Sequence, residues 1–178
     1  KQYYTYLLEQ YDEVCAVDEM SLKSLFTDMA FDGQWEPALE FMAQAYAKVS
    51  SIRDSIEGER NLQGFFMAYL NLNNYYYTMP ELELNHGYCD FFLLPDLTHY
   101  DTKHSYIIEL KMLSKKDFGA MADNGKQTKA EEQWEQAVEQ INRYADAPRV
   151  EALRQGTQLH KIIMQFEGYQ LKRIGEID

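Results

Sequence analysis

The sequence predicts an α/β fold: a mixed sheet of four to five strands flanked by helices, with a helical lead-in. Three observations carry that expectation. Apolar residues recur at three- and four-residue steps through the first 70 positions, the period of an amphipathic helix. Short runs rich in tyrosine, phenylalanine and isoleucine follow, bounded by turn residues, as strands are. A strongly helical stretch then separates these runs from a last apolar one. The order helices, three strands, helix, strand is that of an α/β core.

Taken in order, "SLKSLFTDMA" and "EPALEFMAQAYAKV" both read as helices, with Asp32-Gly33 as the break and Pro37 in a first turn, where proline is tolerated. A third helix is expected from about Ser55 to Leu72. "YYYTMPELEL" reads as a strand interrupted by Pro80, "GYCDFFLLP" as a second and "HSYIIELKML" as a third. The polar segment from Ser114 to Ala130 reads as a long loop. "EEQWEQAVEQINRYAD" is an amphipathic helix burying Trp134, Val138, Ile141 and Ala145. "KIIMQFEGYQL" reads as the final strand. Residues 1–30 are expected to be a helical connector and residues 31–178 the domain proper. The chain begins Lys-Gln-Tyr-Tyr, without methionine, and is expected to be a piece of something longer.

At 178 residues, 46% hydrophobic and 26% charged, the composition is that of one globular domain. No apolar run approaches the roughly 20 residues a membrane span needs. Cys15 and Cys89 are too few for a disulfide framework, so a reducing cytoplasm is the expected setting. A net charge of −12 argues against passive binding to a polyanion. The charge is uneven, however: residues 1–60 hold 12 acids against 5 bases, and residues 103–129 hold 6 lysines against 3 acids. A polyanion would approach there.

The third strand raises a question of its own, because Glu109 and Lys111 sit inside an apolar run. Alternation places both on one face, roughly 7 Å apart. A hairpin across "DLTHYDTK", with its turn centred between His99 and Tyr100, sets Glu109 opposite Asp90, another acid within an apolar strand. Two carboxylates side by side repel unless a cation sits between them. Mg²⁺ uses oxygen ligands of this kind, and a lysine beside it can orient water and offset charge on a phosphate. The dipeptide Pro95-Asp96 is a rival for the acid, but it lies roughly 20 Å along the chain from Asp90, near the turn. The plainer account is a surface salt-bridge cluster, worth little energetically.

Asp90 followed by Glu109-Leu110-Lys111 resembles the D…(D/E)xK core of the PD-(D/E)XK nuclease superfamily, with its restriction-endonuclease-like fold. The phrases "GERNLQGFFMAYLNL", "ELELNHGYCDFFLLP", "SYIIELKML", "AVEQINRYAD" and "KIIMQFEGYQL" carry a closer likeness to the nuclease-like domain that closes many bacterial AAA-ATPase-like proteins, over roughly Leu22 to Ile174. The resemblance implies Asp90 and Glu109 as metal-binding carboxylates and Lys111 as the catalytic lysine. The Leu110 carbonyl would be a further ligand, and Glu59 an acid completing the site directly or through water. It implies Gln63, Gln140 and Tyr144 as site-lining positions, Mg²⁺ or Mn²⁺ as cofactor, and nucleic acid, DNA foremost, as substrate. An upstream AAA-ATPase-like domain is the implied partner, with a homodimer open. Cys89 stands where the family name has proline, and no phosphate-binding G-x-x-x-x-G-K-[ST] occurs.

Lys115, Lys116, Lys126 and Lys129 stay open between an ordinary solvated loop and phosphate contacts. Tyr75 to Tyr77 stay open between base stacking and strand packing. His86, His99, His104 and His160 show no ligand spacing, so zinc is not expected. Trp35 and Trp134 read as core. The reading leans to a metal-dependent nuclease. Its alternatives are a non-catalytic nucleic-acid-binding or protein-docking module that keeps the fold, favoured by the acidic surface, and a purely structural interaction domain.

Overall fold

The computed structural model describes residues 19–52, 58–113 and 123–178. Three helices lead: α1 (Glu19–Asp32), α2 (Glu36–Ile52) and α3 (Glu59–Leu70). Their apolar residues fall at helical spacing, so each buries a stripe: Leu22, Phe26 and Met29 on α1; Leu39, Met42, Tyr46 and Val49 on α2; Leu62, Phe65, Phe66 and Tyr69 on α3. Gly33 joins the first two at φ 70°, a left-handed turn that glycine adopts without penalty. The division expected after residue 30 falls inside α1. Leu22, Phe26, Met29 and Ala30 are packed into the same core as the sheet.

The sheet has five strands in the order β1 (Tyr76–Leu84), β2 (Gly87–Pro95), β3 (His104–Leu113), β4 (Gln158–Glu167) and β5 (Gln170–Glu176). All neighbours are antiparallel except β3 and β4, which run parallel. Parallel neighbours need a crossover. Helices α4 (Asp123–Ala145) and α5 (Pro148–Arg154) provide it and cover the second face. One core therefore lies between the sheet and α1–α3, with Phe91, Leu93, Tyr106, Ile108, Ile162 and Phe166 from the strands. The other lies under α4 and α5, where Trp134, Ala137, Ile141, Tyr144 and Val150 meet Phe92, Ile107 and Ile163.

Several boundaries depart from the sequence reading. The segment expected to be loop through Ala130 is helical from Asp123, because Lys126, Gln127, Lys129, Ala130 and two glutamates are good helix formers that outweigh Asn124-Gly125. Lys126 and Lys129 thus ride the first turns of α4. Helix α3 begins at Glu59 and ends at Leu70; the expected start at Ser55 lies outside the described residues. The expected last strand is a hairpin, β4 and β5 joined at Gly168, whose φ of 60° makes the tight turn. Helix α5 was not expected; it is short, with Pro148 in its first turn. No helix among the described residues is long and apolar enough to cross a membrane.

Candidate active site

The β2–β3 pairing fixes the site. Phe91 pairs with Ile108, Phe92 with Ile107 and Leu93 with Tyr106, so the same register sets Asp90 against Glu109, as the hairpin reading expects. The backbone ladder stops at that step, and side chains take over. Leu110 N–H donates to Asp90 Oδ2 at 2.7 Å, while Asp90 N–H donates to Glu109 Oε2 at 3.3 Å. Each acid thus binds an amide of the opposite strand. The site lies where β2 and β3 part, in the interior of the sheet; β1 and β5 are the edges.

From this pair a single hydrogen-bonded chain spans both faces. On the α3 side, Gln63 Nε2 donates to Asp90 Oδ1 at 2.5 Å. On the α4 side, Lys111 Nζ donates to Glu109 Oε1 at 2.8 Å and to Gln140 Oε1 at 3.0 Å. Gln140 Nε2 in turn donates to Tyr144 Oη at 2.5 Å. Gln140 and Tyr144 are one turn apart on α4, so they share a face. Tyr144 is buried against Gly87, where a Cβ would lie 2.7 Å from the ring; only glycine admits the tyrosine there.

The charges in this chain do not balance. Glu109 is 2% exposed and Lys111 19%, and this is the one ammonium within bonding distance of the two acids among the described residues. Burial, then the neighbouring Glu109 charge, pushes the Asp90 carboxyl up to about 7. Burial also lifts Glu109 above its usual range despite Lys111. For Lys111 burial works the other way, but Glu109, Asp90 and Glu59 together hold its ammonium above the ordinary value. Glu59 is exposed on the first turn of α3, lining a groove of about 610 Å³ with Gly58, Arg60, Asn61 and Gln63. Its charge reaches Glu109 and Lys111 without a hydrogen bond to either.

A family model described as the PD-(D/E)XK nuclease superfamily matches residues 57–176, more than half of the chain. The chain belongs to the PD-(D/E)XK nuclease superfamily. The match starts at residue 57, later than the resemblance expected from Leu22. No curated protein and no solved structure matches the chain. The five-stranded mixed sheet flanked by helices is consistent with the restriction-endonuclease-like fold of this superfamily.

A PD-(D/E)XK site implies a divalent metal, and the donor set fits one. The buried Glu109 and the half-buried Asp90 share one ammonium, leaving a deficit of positive charge where oxygen donors converge. Among the described residues no group of three or more His, Cys, Asp or Glu side chains is placed to hold a metal ion. A cation here would rest on the Asp90–Glu109 pair, with water completing its shell.

The other candidates scatter. Lys115 and Lys116 lie outside the described residues. Lys126 is 4.0 Å from Asp123 within its own helix. The tyrosine run is no continuous stacking platform: Tyr76 is buried, Tyr75 packs edge-on to Phe31 and Tyr100, and Tyr77 donates its hydroxyl to Asp96. Trp134 is core, whereas Trp35 is half-buried and donates to Glu176. The histidines hold a surprise, since parallel pairing brings His104 Nδ1 within 2.8 Å of His160 Nε2, with Glu176 on the far nitrogen of His160. Their nitrogens bond to each other, at the opposite end of β3 from Lys111. Sequence reasoning also missed Asn85 and His86. Both have positive φ, 46° and 65°, forming the two-residue turn that sets the β1–β2 register.

Proposed function

We propose that this domain hydrolyses phosphodiester bonds in nucleic acid, DNA foremost, with the help of Mg²⁺ or Mn²⁺. The observation that carries the reading is the junction of Asp90, Glu109 and Lys111 at the parting of β2 and β3, a buried and a half-buried acid short of one positive charge. A divalent cation, when bound, supplies that charge, acidifies a water and offsets charge on a phosphate oxygen. Asp90 and Glu109 would hold it. The Leu110 carbonyl is a further candidate, since a strand residue presents its N–H and C=O to the same neighbour and the Leu110 N–H already points at Asp90. Glu59, poised across the groove, would complete the set through water.

The chain's own groups do the rest. Lys111 is held charged by its carboxylate neighbours, so its ammonium can orient the attacking water and stabilise negative charge gathering on the phosphate. Gln140 accepts one of its three N–H groups and fixes its direction. Tyr144, locked over Gly87, fixes Gln140. Gln63 holds Asp90 from the other face. The substrate would enter along the groove at the start of α3. Lys126 and Lys129 on α4, with Lys115 and Lys116 ahead of them, would offer phosphate contacts in a chain otherwise acidic.

The net charge of −12 favours one competing reading, a module that keeps the fold for docking or binding. The likeness to domains that close AAA-ATPase-like proteins supports an upstream ATPase-like partner in the cytoplasm. A homodimer would allow two strands to be cut. The test is cleavage of labelled single- and double-stranded DNA and RNA with Mn²⁺ or Mg²⁺, beside Lys111→Ala. Metal-dependent cleavage lost in the variant supports the nuclease. Equal inertness of both proteins on every substrate, with ATP and the upstream region supplied, would favour the docking module.

A further inference from the structure

Asp90 can enter the parting of β2 and β3 only because the sheet turns over at its position. Paired residues of neighbouring strands share a face, and faces alternate along each strand. Met79 and Phe92 pair and pack under α4; Pro80 and Phe91 pair next, and Phe91 lies on the opposite face. Regular alternation would return Glu81 and Asp90 to the α4 side and send Leu82 and Cys89 away from it. Instead Leu82 and Cys89, which pair, are buried under α4. Both strands therefore flip face across one step. The register is the same on either side of it, and Glu81 and Asp90 are the one opposed couple in this stretch without a ladder pairing.

A backbone irregularity on β1 coincides with the flip. Glu81 has φ 49°, a left-handed conformation that costs a non-glycine residue energy and that is foreign to a strand interior. Pro80 precedes it on an edge strand, where a missing N–H is tolerated. The Glu81 side chain is exposed and takes no part in the chain of bonds around Asp90. Strained residues of this kind persist where the surroundings over-determine them.

We propose that Glu81 is a positioning residue: its left-handed backbone turns β1 and β2 over at one step and so delivers the Asp90 carboxylate into the gap beside Leu110. The importance of that delivery rests on reading Asp90 as a metal-binding acid, but the geometry can be tested without metal. The reporter is the Leu110 amide, which donates to Asp90 Oδ2 at 2.7 Å. Its hydrogen exchange is followed by NMR in the metal-free protein, for Glu81→Val, Glu81→Gly, Glu81→Gln and Glu83→Val. Valine resists positive φ, so Glu81→Val should speed Leu110 exchange by about tenfold or more relative to amides elsewhere in β3. Glycine meets the backbone need and glutamine keeps the side-chain shape, so both should retain protection, Glu81→Gly with a Tm at or above wild type. Glu83→Val, the same change on the same strand at ordinary φ, should leave Leu110 protected.

A folded Glu81→Val with full Leu110 protection would overturn the proposal. So would loss of protection in Glu81→Gln, which would assign the effect to the carboxylate and not the backbone. If Glu81→Val does not fold, Glu81→Gly decides: a lowered Tm with Leu110 exposed refutes the idea, and an undiminished Tm with Leu110 protected supports it. Mn²⁺ titration of the wild type is run alongside. Failure to bind metal would sink the nuclease reading and leave the role of Glu81 standing.

Discussion

Asparagine at position 90 should make the metal-free protein more stable at pH 8 and useless as a metal site. The fold lifts the Asp90 carboxyl from an ordinary 3.8 to about 7, by burial and then by Glu109. Because the folded value lies above the unfolded one, protonation favours the fold. That stabilisation is complete below about pH 4 and is lost as pH rises through about 7. At pH 8, holding Asp90 charged costs about three pK units, or about 4 kcal/mol. Asparagine removes this cost while keeping one oxygen for Leu110 N–H. Gln63 can turn its amide and accept from the new Nδ2. The hydrogen bonds from Leu110 and Gln63 to the charged carboxylate already pull the Asp90 value down, so their charge-assisted quality is contained in this cost.

The gain for Asp90→Asn at pH 8 is therefore up to about 4 kcal/mol, or about 8–16 °C in Tm for a chain of this size. At pH 5 the gain should vanish or reverse, since wild-type Asp90 is then already protonated. Calorimetry in EDTA at both pH values checks the sign. Millimolar Mn²⁺ should raise the wild-type Tm at pH 8 and leave the variant unmoved. An Asp90→Asn protein that is less stable than wild type at pH 8 in EDTA would refute the charge argument.

Three further outcomes follow from the same geometry. Lys111→Ala should reduce hydrolysis by about 100-fold or more, read by single-turnover cleavage, and should lower Tm at pH 8 because Glu109 loses its ammonium. Gly87→Ala places a Cβ 2.7 Å from the Tyr144 ring, so it should cost about 1–3 kcal/mol by thermal melting and slow turnover through Gln140. His104 is held below its ordinary value by burial and then by His160, with Phe31, Asp32 and Glu176 pulling the other way. Its contribution is full above about pH 6.5 and is lost as pH falls. His104→Gln should flatten the acid side of the stability–pH curve, which the wild type should not share.

The sequence showed the acids, the lysine and their register because each leaves a local mark. A charge inside an apolar strand breaks a strong pattern, and hairpin symmetry about His99 and Tyr100 reduces pairing to arithmetic. Gln140 and Tyr144 came from the family resemblance alone, since two polar residues one helical turn apart are common on any solvated helix face. The parting of the strands was not legible. Alternation extended through Asp90 puts it on the α4 face, and only the flip shared with Glu81 shows that it lies in the gap instead. The His104–His160 contact depended on β3–β4 pairing across a crossover of more than 40 residues, which no local period encodes. The β5 strand was lost in its own polarity, "QLKRIGE", since an edge strand half in solvent carries little apolar signal.

The choice between a nuclease and a docking module turns on what the fold tolerates. Docking needs a surface, and nothing in a surface requires two carboxylates to be brought together at the centre of a sheet with too little positive charge. With the Asp90 carboxyl pushed up to about 7, ionising it should cost stability as pH rises past neutral, and replacing it by asparagine should relieve that cost. The chain also carries a left-handed glutamate opposite the same aspartate and a glycine shaped to a buried tyrosine two bonds from the lysine. Each of these features costs stability or restricts sequence, and all converge on one carboxylate pair and one ammonium. Strain and unbalanced charge gathered at one point are what a site built to bind a cation requires. The same physics makes the reading vulnerable: if the metal-free protein shows no loss of stability between pH 5 and pH 8 attributable to Asp90, the central premise fails with it.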